Sequence, residues 1–190
     1  MKKCFLILLA VVLSISAYAQ SEHLTFKGVP IDGSLKQFVS KMVSAGFTSM
    51  GIKDGSAGLK GDFAGHKDCV VVVSTLQNKD LVSHIDVLFP EKETWSALEG
   101  NYYELKNMLT TKYGKPAKVI EKFDGYVGDS GSLKIVAVRT GDCNYHTVFS
   151  TEKGEIVLQL DSFDYECHVV LSYYDRINDQ EVETAAMDDL

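Results

Sequence analysis

Arginine is nearly missing from this chain: Arg139 and Arg176 are the only two among 190 residues, and 26 acidic residues outnumber 19 basic ones. A formal net charge of −7 attracts nucleic acid or an anionic membrane poorly, because those partners need clustered Lys and Arg, and no nucleic-acid partner is expected. Proline occurs three times and tryptophan once. Beyond the first 20 residues no apolar run approaches the length of a membrane span, so no stable membrane insertion is expected. No Asp-x-Asp-x-Asp-Gly calcium loop is present. Asp161, Asp164 and Glu166 fall in a predicted turn, and Asp175, Asp179 and Glu181 in the tail, as solvated acidic surface.

The first 19 residues read as an export signal. Lys2 and Lys3 precede the apolar run "CFLILLAVVL", and Ala17-Tyr18-Ala19 places small residues where a signal peptidase reads them. Cleavage before Gln20 is expected, with a soluble product exported to the periplasm or the extracellular space. Gln20 is not the cysteine that a lipid anchor requires. Loss of the leader removes Cys4 and leaves Cys69, Cys143 and Cys167. An odd cysteine count in an oxidising compartment suggests one bridge and one free thiol. Cys143 with Cys167, or Cys143 with Cys69, are the pairings considered.

The rest of the chain alternates helical and strand patterns. In "LKQFVSKMVSAGF" Leu35, Phe38, Val39, Met42 and Val43 recur at helical spacing behind Asp32 or Ser34 as caps, and Gly46 stops the run. "GIKDGSAGLKGDFAGHKD" reads as a hairpin or two short strands, and "CVVVVST" and "LVSHIDVLF" as strands. A second helix carries Trp95, Leu98, Tyr102, Leu105 and Leu109 behind Thr94; Gly100 threatens to split it, and Gly114 with Pro116 ends it. Strands are then expected at "KVIEKF", "LKIVAVRT", "YHTVFS", "EIVLQLD" and "HVVLSYYD".

These patterns predict an α+β protein of two tandem helix-plus-antiparallel-sheet units packed side by side. The divisions are a leader at 1–19, an extension at 20–25, units at 26–90 and 91–175, and an acidic tail at 176–190. Two matches support a repeat: "DCVVVVST" against "DCNYHTVFST", and "HIDVLF" against "QLDSF".

The segments "FKGVPIDGSLKQFV", "LKGDFAGHKDC" and "YYELKNMLTTKYGKP" resemble those of uncharacterised small secreted bacterial proteins. The order of elements is similar to the beta-lactamase inhibitor protein fold, in which two helix-plus-four-strand units lie side by side. That resemblance implies a sheet face that grips a partner protein, and it carries no individual binding residue over.

No catalytic residue is expected. Gly128-Asp129-Ser130-Gly131 matches the surroundings of a protease nucleophile, but no histidine sits in the Ala-Ala-His-Cys context of that family, and the residues are those a turn prefers. Cys143, His146, Cys167 and His168 are zinc-ligand types, yet alternation along a strand sends each Cys and its His to opposite faces, so no metal is expected and no cofactor. The same alternation puts Ile156, Leu158, Leu160, Val169, Leu171 and Tyr173 under the helices. It leaves Asn144, His146, Gln159, Asp161, His168, Ser172 and Tyr174, with His84 and Asp86, on a face left to water. With Trp95, these are the candidate binding residues. The expected function is non-enzymatic binding or inhibition of a protein or cell-envelope component. A small hydrolase or carbohydrate-active domain and a structural envelope component are the alternatives.

Overall fold

A computed structural model describes residues 22–76 and 79–180. The expected leader and residues 181–190 of the tail lie outside the described residues.

The chain opens with a short hairpin, β1 (Thr25–Phe26) and β2 (Val29–Pro30), and enters α1 (Leu35–Ser44). Ser34 caps α1 by accepting from the Gln37 amide at 3.4 Å, and Asp80 accepts from the Leu35 amide at 2.8 Å. Leu35, Phe38, Val39 and Met42 are buried. Val43, expected on that stripe, is 47% exposed because it lies past the edge of the contact. Four antiparallel strands follow: β3 (Thr48–Lys53), β4 (Ser56–Phe63), β5 (His66–Thr75) and β6 (Val82–Leu88).

The second half begins with α2 (Trp95–Tyr113), capped by Thr94, whose hydroxyl accepts from the Ala97 amide. Gly100 does not split it. All 19 residues form one helix, because the buried row Trp95, Leu98, Tyr102, Leu105 and Leu109 anchors both sides of the glycine. After β7 (Lys118–Phe123) the chain departs from expectation. "LKIVAVRT", read as a strand, belongs to the helix α3 (Gly131–Thr140), which ends on Gly141 in the left-handed region at φ 79°. Ile135 and Val138, one turn apart, are its buried row. Strands β8 (Cys143–Thr151), β9 (Gly154–Phe163) and β10 (Glu166–Asp175) complete the second half, and residues 176–180 turn helically.

The class is α+β, but the two halves share one eight-stranded antiparallel sheet, ordered β3-β4-β5-β6-β10-β9-β8-β7. The last strand of each half meets the other at a central seam, where Ser172 stands opposite Asp86. The order is mirrored about that seam, so β5 answers to β9 and β6 to β10. The residue matches read from the sequence are therefore one strand out of step: they set β5 against β8 and β6 against β9.

Alternation decides the two faces as expected. Ile156, Leu158 and Leu160 are buried while Gln159 between them is partly exposed. The apolar side of all the inner strands and the three helices form one continuous cluster of buried residues. The terminal hairpin closes one end of it: Phe26 stacks on Phe63 at 5.1 Å and meets Tyr173 edge-on at 5.4 Å. Asp175, fully buried, holds that hairpin by accepting from the Leu24 amide at 2.6 Å and facing His23 Nδ1 at 3.0 Å. Asn178 then donates to the carbonyls of Ile31 and Val82, tying the end of β10 to both β2 and β6.

Candidate functional site

The sheet face away from the helices gathers nine of the ten candidate residues. At its centre four of them interlock across the seam. His84 and Tyr174 are paired in register and stack face to face, centroids 4.4 Å apart and planes 13° from parallel. One pair further along on the same face, the Ser172 hydroxyl donates to Asp86 Oδ1 at 2.6 Å. His84 Nε2 lies 3.0 Å from that same oxygen, an ion-pair distance without the alignment of a good hydrogen bond. Burial works to raise the Asp86 carboxyl, but the contacts from His84 and Ser172 outweigh it and hold the group below the usual carboxylate range. Tyr174 moves the other way: burial first, then the nearby charges of Asp86 and Asp179, push its phenol up.

Around this centre stand Gln159, which donates to Asp161 at 3.4 Å, and His146, paired with Gln159 on β8. Asn144 lies one alternation from His146 toward the β8 start and faces Lys122 of β7. A groove of ≈ 500 Å³ runs beside Tyr174, walled by His146, Val148, Val157, Lys118, Glu155 and Asp179. Asp179 belongs to the helical turn that leaves β10, so this groove has a wall that strand alternation alone does not foretell.

The face is drier than expected. Ser172 is 2% exposed and His168 9%, and Val170 between them is also buried. His168 spends its Nδ1 on the Phe89 carbonyl at 2.8 Å, which makes it a support for the β6–α2 connection. The surface available to a ligand is thus carried by His84, Asp86, Tyr174, Gln159, Asp161, Asn144 and His146.

Trp95 is not part of it. The ring lies under the helices, packed at 5.2 Å on Phe123 and edge-on at 5.3 Å to Tyr145. It opens the apolar row of α2, as the helical spacing predicts, and so lies on the opposite side of the sheet from the other nine candidates. Its indole N–H is buried without an acceptor among the described residues.

Neither expected bridge is present: Cys69, Cys143 and Cys167 are free thiols. Cys143 and Cys167 face the helices with β9 between their strands, so their Cα atoms are separated by about 10 Å, beyond the roughly 7 Å that a disulfide spans. Cys69 is further off, because β6, β10 and β9 all intervene between β5 and β8. His146 and His168 project to the other side of the sheet from these two cysteines, so the four zinc-type ligands do not converge.

Ser130 of the protease-like tetrapeptide is the residue before α3, and its hydroxyl makes no capping bond. The nearest thing to a catalytic set on the polar face is Ser172 with Asp86 and His84. Its wiring differs from that of a nucleophilic triad: serine and histidine address the same carboxylate oxygen, and no hydrogen bond joins the Ser172 hydroxyl to His84 Nε2. No family model matches the chain, and no curated protein and no solved structure matches it either.

Proposed function

We propose that the protein is an exported, non-enzymatic binding or inhibitor-like protein that recognises another protein or a cell-envelope component through the polar face of its sheet. One observation carries the reading. His84, Asp86, Ser172 and Tyr174 are locked together on the two central strands, on the face opposite α1, α2 and α3, with a groove alongside. Such a surface is preorganised: its side chains are held by one another before any ligand arrives, which lowers the ordering cost of binding. Tyrosine and histidine supply contact area with a polar edge, and the flanking amide and carboxylate groups supply direction. The reading also accounts for the buried Ser172 hydroxyl, which positions Asp86 and does not react.

The hydrolase alternative needs a base for a nucleophile, and the committed serine proton weighs against it. The deciding experiment captures partners from native envelope extract on immobilised protein. Wild type is compared with Asp86→Ala/Tyr174→Ala and with the helix-side control Lys112→Ala. A partner retained by wild type and control but lost from the face variant supports the reading. Equal capture by all three, or turnover of an ester or glycan by the protein alone, overturns it.

A further inference from the structure

Among the described residues the sheet has two unpaired edge strands, β3 and β7, and they differ. β7 carries Lys118, Glu121 and Lys122 close behind Pro116, features that discourage the addition of a strand. β3 reads Thr-Ser-Met-Gly-Ile-Lys; all six residues are exposed and only the last is charged. Met50 is 62% and Ile52 52% exposed. They stand on different faces. Met50 lies over Gly58, where an added Cβ would be 3.3 Å from its own, and Ile52 pairs with the buried Ala57. An edge strand with unpaired outer backbone groups and bare apolar side chains on both faces is a template for another strand.

The charge around this edge favours a second copy. The chain is acidic overall, which opposes self-association. Beside β3, however, Lys36, Lys53, Lys60 and Lys79 offset Asp54, Asp68 and Asp80, so the acidic excess does not reach this edge.

We propose that β3 pairs antiparallel with β3 of a second copy about a twofold axis normal to the sheet, continuing one sheet across two chains. An axis between Met50 and Gly51 sets Met50 against Gly51, Ser49 against Ile52 and Thr48 against Lys53. The faces agree. Ser49 and Ile52 oppose Leu59 and Ala57 on the helix side, while Thr48, Gly51 and Lys53 oppose Lys60, Gly58 and Ser56 on the other. The β-bulge between Ser49 and Gly51 falls on the axis in both copies, so the flanking ladders stay in register. Met50 lies over a glycine of the partner as it already does over Gly58, and no like charges oppose. Six-residue strands bury far less than the roughly 1,200 Å² of a standard interface, so the association is weak and concentration-dependent.

Sedimentation equilibrium over a dilution series tests this, with wild type, Met50→Lys and, on the opposite edge, Val119→Lys. Met50 and Val119 are both exposed, and circular dichroism confirms that each variant folds. The weight-average mass of wild type and Val119→Lys should climb toward twice that of the chain, while Met50→Lys, which places two ammonium groups at the axis, stays monomeric. A wild type that is monomeric throughout, or an association untouched by Met50→Lys, overturns the proposal.

Discussion

The imidazole of His84 lies flat on the ring of Tyr174, 4.4 Å between centroids, directly across the seam that joins the two halves of the chain. Neither residue belongs to a strand that the other half could supply, so the polar centre of the sheet exists only once β6 and β10 have paired. Removing the stack tests whether it preorganises the face. Tyr174→Ala should loosen His84, seen as sharper and more mobile imidazole resonances by NMR, while Tyr174→Phe keeps the stack and leaves them unchanged. The phenol hydroxyl contributes little to ring stacking.

Asp86 gives the face a pH dependence with a defined sign. Its carboxyl is held below the usual carboxylate range in the folded state, burial being outweighed by His84 and Ser172. A depressed carboxylate contributes stability that is present above its unfolded pKa and disappears as pH falls through the folded one. Asp86→Asn should therefore be less stable than wild type at neutral pH, and the gap should close on acidification below the ordinary carboxylate range. Urea midpoints measured from neutral pH into that range check it; a gap that widens with acid contradicts the assignment.

Among the glycines, Gly154 leaves the least room for a side chain. At φ 149° it lies where only glycine is comfortable, and a Cβ there would stand 2.0 Å from the Tyr174 carbonyl oxygen. That oxygen belongs to backbone and cannot swing aside. Gly154→Ala should cost about 2 kcal/mol or more, from strain and clash together, read as a lowered denaturant midpoint.

Strand parity was legible because the inner strands alternate cleanly: Leu158 and Leu160 in, Gln159 out. α1 and α2 were legible through their caps and apolar rows. α3 was not, because Ile135, Val136 and Val138 are β-branched and its two exposed apolar residues, Leu133 and Val136, blur the helical row. The Gly141-Asp142 stop was the available signal. The internal matches rested on short shared residue strings, Asp-Cys and Ser-Thr around a strand, and these do not follow the order of strands about the seam. The merging of both halves into one sheet was invisible for a related reason: pairing of β6 with β10 leaves no mark on local periodicity. The groove wall at Asp179 depends on that same long-range geometry.

Gly100 is the one residue of α2 that works against the helix. It is exposed, has ordinary helical backbone, and a Cβ added there meets nothing within 4 Å. Its replacement removes backbone entropy from the unfolded chain with no cost in the folded one. Gly100→Ala should stabilise the protein by about 1 kcal/mol, raising the melting temperature by roughly 2–4 °C.

The three thiols should be slow to react although none is bridged. Cys69 and Cys167 are fully buried, and burial pushes Cys143 up to about 12, with the charges of Cys167 and Asp124 adding to it. The reactive species is the thiolate, so at neutral pH Cys143 presents almost none. Cys167 is held further by its contact with the Ile135 carbonyl of α3, which must lift before a reagent enters. Titration with an aromatic disulfide should release little colour from native protein. In denaturant, without reductant, protein prepared without residues 1–19, and so without Cys4, should give one equivalent each from Cys69, Cys143 and Cys167. One equivalent in place of three would mean that two of them are joined, which requires β9 to leave its place between β8 and β10.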